Sequence, residues 1–111
     1  MSQGIAESDW KHFRKLHSVA LERFSQKILS EVESVNADGS KSFHQRYLNI
    51  YKIIERRDKE LSKAFNDSRR STALMQLVSI YTLGLITEVE LNGFSQEVVS
   101  VVKSFNKGRN A

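Results

Sequence analysis

Residues 8–40 read SDWKHFRKLHSVALERFSQKILSEVESVNADGS. Within them Trp10, Phe13, Ala20, Leu21, Phe24, Ile28, Val32 and Val35 recur at intervals built from threes and fours, the mark of one helical face. Nothing breaks the series before Asn36-Ala37-Asp38-Gly39-Ser40, a cluster of turn-forming residues. The spacing predicts a long first helix over about 9–36, with Ser8 as its cap and Asp9 against its positive end.

A second apolar series follows directly: Phe43, Tyr47, Ile50, Tyr51, Ile54, Leu61 and Phe65. It opens on Ser42-Phe43-His44-Gln45, an S-x-x-Q capping box, and predicts a helix over 43–65. The short turn between the two makes them antiparallel neighbours. Asn66-Asp67-Ser68 ends the second helix and caps a third, carried by Leu74, Leu77, Val78 and Tyr81 and stopped at Gly84. Thr87-Glu88-Val89-Glu90 is another capping box, for a short helix to about Asn92. Ser95 caps a last helix with Phe94, Val98, Val101, Val102 and Phe105 on one side, and Lys103 and Lys107 near its negative end before Gly108. Its valines pull toward a strand while its caps pull toward a helix. The expected fold is all-α: a bundle of four to five helices built on a long antiparallel helical hairpin. One domain spans 8–107, with flexible ends at 1–7 and 108–111.

Composition agrees. The 111 residues contain no proline, which suits helix interiors, and are 40% hydrophobic, enough for a core. There is no cysteine, so disulfides, thiolate metal sites and cysteine nucleophiles are excluded and a reducing compartment is compatible. Charges at Glu7, Asp9, Lys11, Arg14, Lys15, Glu22 and Arg23 interrupt any signal-peptide apolar region. The longest uncharged run, Ser71 to Thr87, is short and polar for a membrane span and reads as a core helix. A cytoplasmic protein without a membrane partner is expected.

Three ionisable residues fall on the apolar stripes: His17 on helix one, Asp58 at the centre of helix two, and Arg70 leading helix three. A tight hairpin turn sets His17 opposite about residue 62, one turn from Asp58. A semi-buried cluster of Asp58 with His17, Arg70 or both is therefore expected, first as a structural latch that fixes the register of the bundle, second as a binding site or acid/base dyad, with an exposed Asp58 on a bent stripe as the third reading.

Chemistry-bearing patterns are sparse. His12 and His17 are five residues apart and point to different sides of a helix, so no metal-ligand pair is read, and no cofactor is expected. No serine lies in a nucleophile elbow, and the five glycines are scattered rather than clustered into a phosphate loop. Arg69 and Arg70, with the hydroxyls of Ser68, Ser71 and Thr72, form a candidate anion corner, although Asp67 and Asp58 are ready partners for both arginines. On helix two Lys52, Arg56, Lys59 and Lys63 form a basic stripe opposite the apolar face. The Gly84 corner has the outline of a helix-turn-helix, but Glu88 and Glu90 would repel phosphate there.

The pattern Leu77-x-x-Ile80-x-x-x-Gly84-Leu85-Ile86-Thr87-x-x-Glu90-Leu91 resembles the short SHOCT module, a helix, turn and second helix. That resemblance implies a role in oligomerisation or tethering. It departs from the module at Asn92-Gly93-Phe94-Ser95, which interrupts the usual lysine-rich second helix. Taken together, the expected function is a small protein-interaction or regulatory domain, whose contact surface is the basic stripe (Lys52, Arg56, Lys59, Lys63) with the Arg69/Arg70 corner. Another protein is the expected partner and a homo-oligomer is compatible. Non-specific nucleic-acid binding through the stripe, at a net charge of +4, is the second reading, and an enzyme whose site leaves no local motif the third.

Overall fold

A computed structural model describes residues 4–110, in the order α1 (Glu7–Asn36), α2 (Phe43–Phe65), α3 (Ala73–Thr82), α4 (Glu88–Leu91) and α5 (Gln96–Asn110). All regular structure among the described residues is helical. The hairpin predicted from the two apolar series is the frame, and α3, α4 and α5 cover the base of it. The molecule is correspondingly long, 56 × 29 × 21 Å.

The core gathers at the base. Phe13, Leu16, Ala20 and Phe24 of α1 meet Ala64 and Phe65 of α2, with Ala73, Leu77 and Ile80 of α3, Leu91 of α4, and Val98, Val99 and Val102 of α5. The valines thus form a helix after all: burial against α3 outweighs their strand preference. Beyond residue 28 of α1 the hairpin continues as two helices alone. In that stalk Ile53 is the sole buried hydrophobic side chain among the described residues.

A coiled-coil seam runs from the base up the stalk. On α1 it runs Phe24, Ile28, Glu31, Val35; on α2 it runs Ile50, Ile53, Arg57, Leu61, Ala64. The register is fixed where the Arg57 guanidinium grips Glu31, with Nε donating to Oε1 at 2.9 Å and Nη2 to Oε2 at 3.3 Å, while Nη1 donates to Glu60 at 2.7 Å. The Phe24 and Phe65 rings stack 6.1 Å apart in the same register. A tight turn had set His17 opposite residue 62. The connection over 37–42 is looser than that, and His17 lies instead beside Phe65, at 5.2 Å between rings.

The corners follow the chemistry of their residues. Gly84, at φ +74°, closes α3: the Leu85 N–H donates to Ile80 O at 3.1 Å and the Gly84 N–H to Tyr81 O at 3.0 Å, the paired bonds of a Schellman end. The Thr87–Glu90 capping box forms in full, whereas Ser42 caps α2 alone because Gln45 turns its amide to Asn49. The first helix begins at Glu7, not behind Ser8, and Ala6 stands at its cap. Ile5, in the stretch expected to be loose, is buried in the core. α5 runs past Gly108 to Asn110; the Lys107 side chain lies outside what is described.

Candidate interaction surface

The expected cluster of His17, Asp58 and Arg70 does not form. Asp58 is exposed and makes no hydrogen bond or ion pair with the described residues. Arg70 turns toward the N-terminus instead, its Nε donating to Ile5 O at 2.7 Å and its Nη1 to Glu7 at 3.0 Å. The fit there is tight: a Cβ on Gly4 would fall 2.2 Å from Arg70 O.

His17 belongs to a different network, which joins α1 to the α2–α3 turn and to α3. Its Nε2 lies 2.9 Å from Ser68 Oγ, and Ser68 Oγ lies 2.7 Å from Gln76 Oε1. Asn66 O accepts at 2.6 Å, so the Gln76 amide presents its NH2 there and its oxygen to Ser68. Ser68 must then donate to Gln76, and His17 Nε2 must donate to Ser68. That polarity is the reverse of a nucleophilic serine, whose hydroxyl donates to the imidazole. The trio is a latch across three elements, beside a cleft of about 240 Å³ lined by Trp10, Phe13, Arg14, His17 and Ser68.

Arg69 and Arg70 do not sit in the first turn of α3. That helix starts at Ala73, because Thr72 draws the preceding residues into a polar turn: its hydroxyl accepts from the Arg69 N–H at 2.9 Å and donates to Asp67 O at 3.0 Å. Arg69 pairs with Asp67 at 2.8 Å while Arg70 holds Glu7, so the two guanidinium groups diverge. The basic stripe is exposed along its length. Arg56 is paired with Glu31 at 3.1 Å, and Lys52, Lys59 and Lys63 make no ion pair with the described residues.

Three fasteners between α1 and the C-terminal helices left no mark in the sequence reading. Asp9, 3% exposed, accepts the Ser95 N–H and the Ser95 hydroxyl, each at 2.7 Å, and so caps α5 from across the fold. His12 Nε2 lies 2.8 Å from Glu90 O, with its ring edge-on to Phe94. Arg23 forks onto both oxygens of Glu90 at 2.7 and 2.9 Å and donates to Leu85 O. The Arg23 guanidinium, aided by the Thr87 N–H, holds the Glu90 carboxyl at about 2 against an ordinary 4.5. Asp9 had one available signal: Ser95 lacks an acidic residue three positions on, since Val98 stands there, so its capping partner has to come from elsewhere.

The largest departure from expectation is on α2. Phe43, Tyr47, Tyr51 and Ile54 were read as core, yet they are 82%, 63%, 57% and 48% exposed. Packing on α1 uses the seam through Ile53 and Arg57, about a quarter-turn away around the helix. α3 occupies the side of α2 where Glu60 and Lys63 meet Met75 and Ser79. The remaining side carries a second row, His44, Tyr47, Tyr51, Ile54, Asp58, at steps of three and four. His44 stacks on Tyr47 at 6.1 Å, and Arg46 lies 4.5 Å over the Phe43 ring, so the row is partly ordered in itself. No helix of the described residues is long and apolar enough to cross a membrane, and no group of side chains among them could hold a metal ion. Compared with family models, curated proteins and solved structures, the chain matches none of them.

Proposed function

We propose that this protein is an interaction module that docks an amphipathic partner helix along the open face of α2. The supporting observation is the exposed row of Tyr47, Tyr51 and Ile54 with Phe43 beside it. Exposed single hydrophobic residues are ordinary, but a continuous row of large ones marks a contact surface. Its heptad steps select the occupant, since a row at intervals of three and four is the half-seam that another helix completes. The carboxylates of Glu55 and Asp58 beside and within the row disfavour a phosphate backbone on this face.

The test is photo-crosslinking in cells that make the protein. With Tyr47→p-benzoylphenylalanine a discrete adduct is expected. With the same group at Lys52, across the helix, none is expected, and Ile54→Asp should remove the adduct from position 47. Equal yields at 47 and 52 would refute the assignment. A second reading, nucleic-acid binding, draws support from Lys52, Lys59 and Lys63 standing exposed and free of ion pairs with the described residues on the opposite side of α2. It requires oligonucleotide affinity that falls steeply with salt and is lost in the Lys52→Glu, Lys59→Glu double variant.

A further inference from the structure

We infer that the helix received by this face is α2 of a second copy of the chain, running antiparallel about Tyr51. This inference rests on the proposed docking face and names its occupant.

The row His44, Tyr47, Tyr51, Ile54, Asp58 superposes on its own reverse to within one residue, with His44 falling on Asp58 and Tyr51 on itself. Place a two-fold axis at Tyr51 and let a second α2 run the other way. Tyr51 then meets Tyr51, and Ile54 of each copy lies across from Tyr47 of the other, one residue from exact register. At each end His44 of one copy meets Asp58 of the other. The self-complementary patch is what a two-fold dimer requires. All five residues of the row are exposed in the single chain, so nothing must unfold to expose them. Asp58 also gains an explanation. A carboxylate on an apolar stripe, with no partner among the described residues, becomes the charge that sets direction and register. A parallel pairing would bring Asp58 against Asp58, which like-charge repulsion disfavours.

The apolar area sets the strength. An aromatic side chain buries on the order of 200 Å², so Phe43, Tyr47 and Tyr51 at their exposures, with Ile54, offer about 500 Å² per copy. Complete burial in both copies would cover about 1,000 Å², the lower bound for a specific interface. The dimer is therefore weak and concentration-dependent, not obligate. It joins two hairpins by their open faces into a four-helix assembly, with the two α3–α5 layers on the outside.

The experiment is sedimentation equilibrium of the full chain from low micromolar to near-millimolar concentration. The wild type should move from the mass of one chain to that of two. Tyr51→Lys, which sets two ammonium groups together on the axis, should remain a monomer. His44→Glu alone and Asp58→Lys alone should each weaken dimerisation at least tenfold. The double variant His44→Glu, Asp58→Lys should recover it, because an ion pair of one acidic and one basic group then stands where His44 met Asp58. Both positions are exposed, and circular dichroism checks that each variant keeps its helices. A wild type that stays monomeric throughout overturns the inference, as does a double variant no better than the single ones. The photo-crosslinking separates the two levels. A monomeric chain with an Ile54-dependent adduct to a different protein sinks the second copy but keeps the docking face. Absence of any such adduct, with a monomeric chain, sinks both.

Discussion

Replacing Asp9 by alanine should loosen the whole C-terminal layer, because this one carboxylate fastens α5 to α1. It is 3% exposed and accepts two hydrogen bonds from Ser95, each 2.7 Å. Hydrogen bonds to an ionised acceptor contribute about 1.5–3 kcal/mol each; with Ser95 itself near solvent the lower figure applies, giving about 3 kcal/mol for the pair. For a chain of this size about 1 kcal/mol moves Tm by about 4 °C, so Asp9→Ala should lower Tm by about 12 °C. Asp9→Asn tests the charge separately. Its amide oxygen still accepts the Ser95 N–H, and its NH2 can donate to the hydroxyl, so about half the loss is expected. Ser95→Ala removes one bond and should also lose about half, and the Asp9→Ala, Ser95→Ala double variant should fall short of the sum by about 1 kcal/mol or more. Thermal unfolding followed by circular dichroism measures all four. Hydrogen exchange adds location: amides of α5 should lose more protection than those of the α1–α2 stalk. A fall below about 3 °C for Asp9→Ala, or strict additivity with Ser95→Ala, would refute the reasoning.

Other outcomes follow from the same fasteners. Since Glu90 is held at about 2 in the folded protein against an ordinary 4.5, the stability it contributes is complete above pH 4.5 and is lost as pH falls toward 2; Glu90→Gln should flatten Tm against pH across that window, and an unchanged slope would dismiss the Arg23 pair as a stabiliser. At Gly93 a Cβ would fall 2.4 Å from His12 Nε2, so Gly93→Ala should cost about 1–2 kcal/mol by pushing the ring off Glu90 O. Adding His12→Ala should make the same Gly93→Ala change nearly neutral, and an equal penalty in both backgrounds would sink the steric explanation. Gly84→Ala, at φ +74°, should cost about 1 kcal/mol through backbone strain alone, read as a fall of a few degrees in Tm.

The hairpin and its helices were legible because long runs of residues agree with one period. The orientation of α2 was not. Its apolar positions span an arc from Ile53 round to Tyr51, wider than one neighbour covers, and a wheel reports the middle of the arc rather than the half that α1 takes. Asp58 looked buried for that reason alone, whereas the charge that does lie in the seam is Arg57. Arg70 was misplaced by one turn of chain: Thr72 delays the start of α3, and propensity does not weigh such a local side-chain bond against a helix. Asp9 and Arg23 act on residues more than sixty positions away, and a local pattern shows at most that Ser95 lacks a reciprocal cap, not which residue supplies it.

The seam of the stalk repeats every seven residues and is bounded by a base that is fastened independently of it. Length in this protein is therefore adjustable in fixed increments. One extra heptad in each arm would carry the Tyr51 row outward by roughly 10 Å while leaving the base as it is. A heptad added to one arm alone would slide Glu31 two turns from Arg57 and leave the distal arms mispaired. The hairpin thus behaves as a spacer of quantised reach, in which the two arms can change only in step.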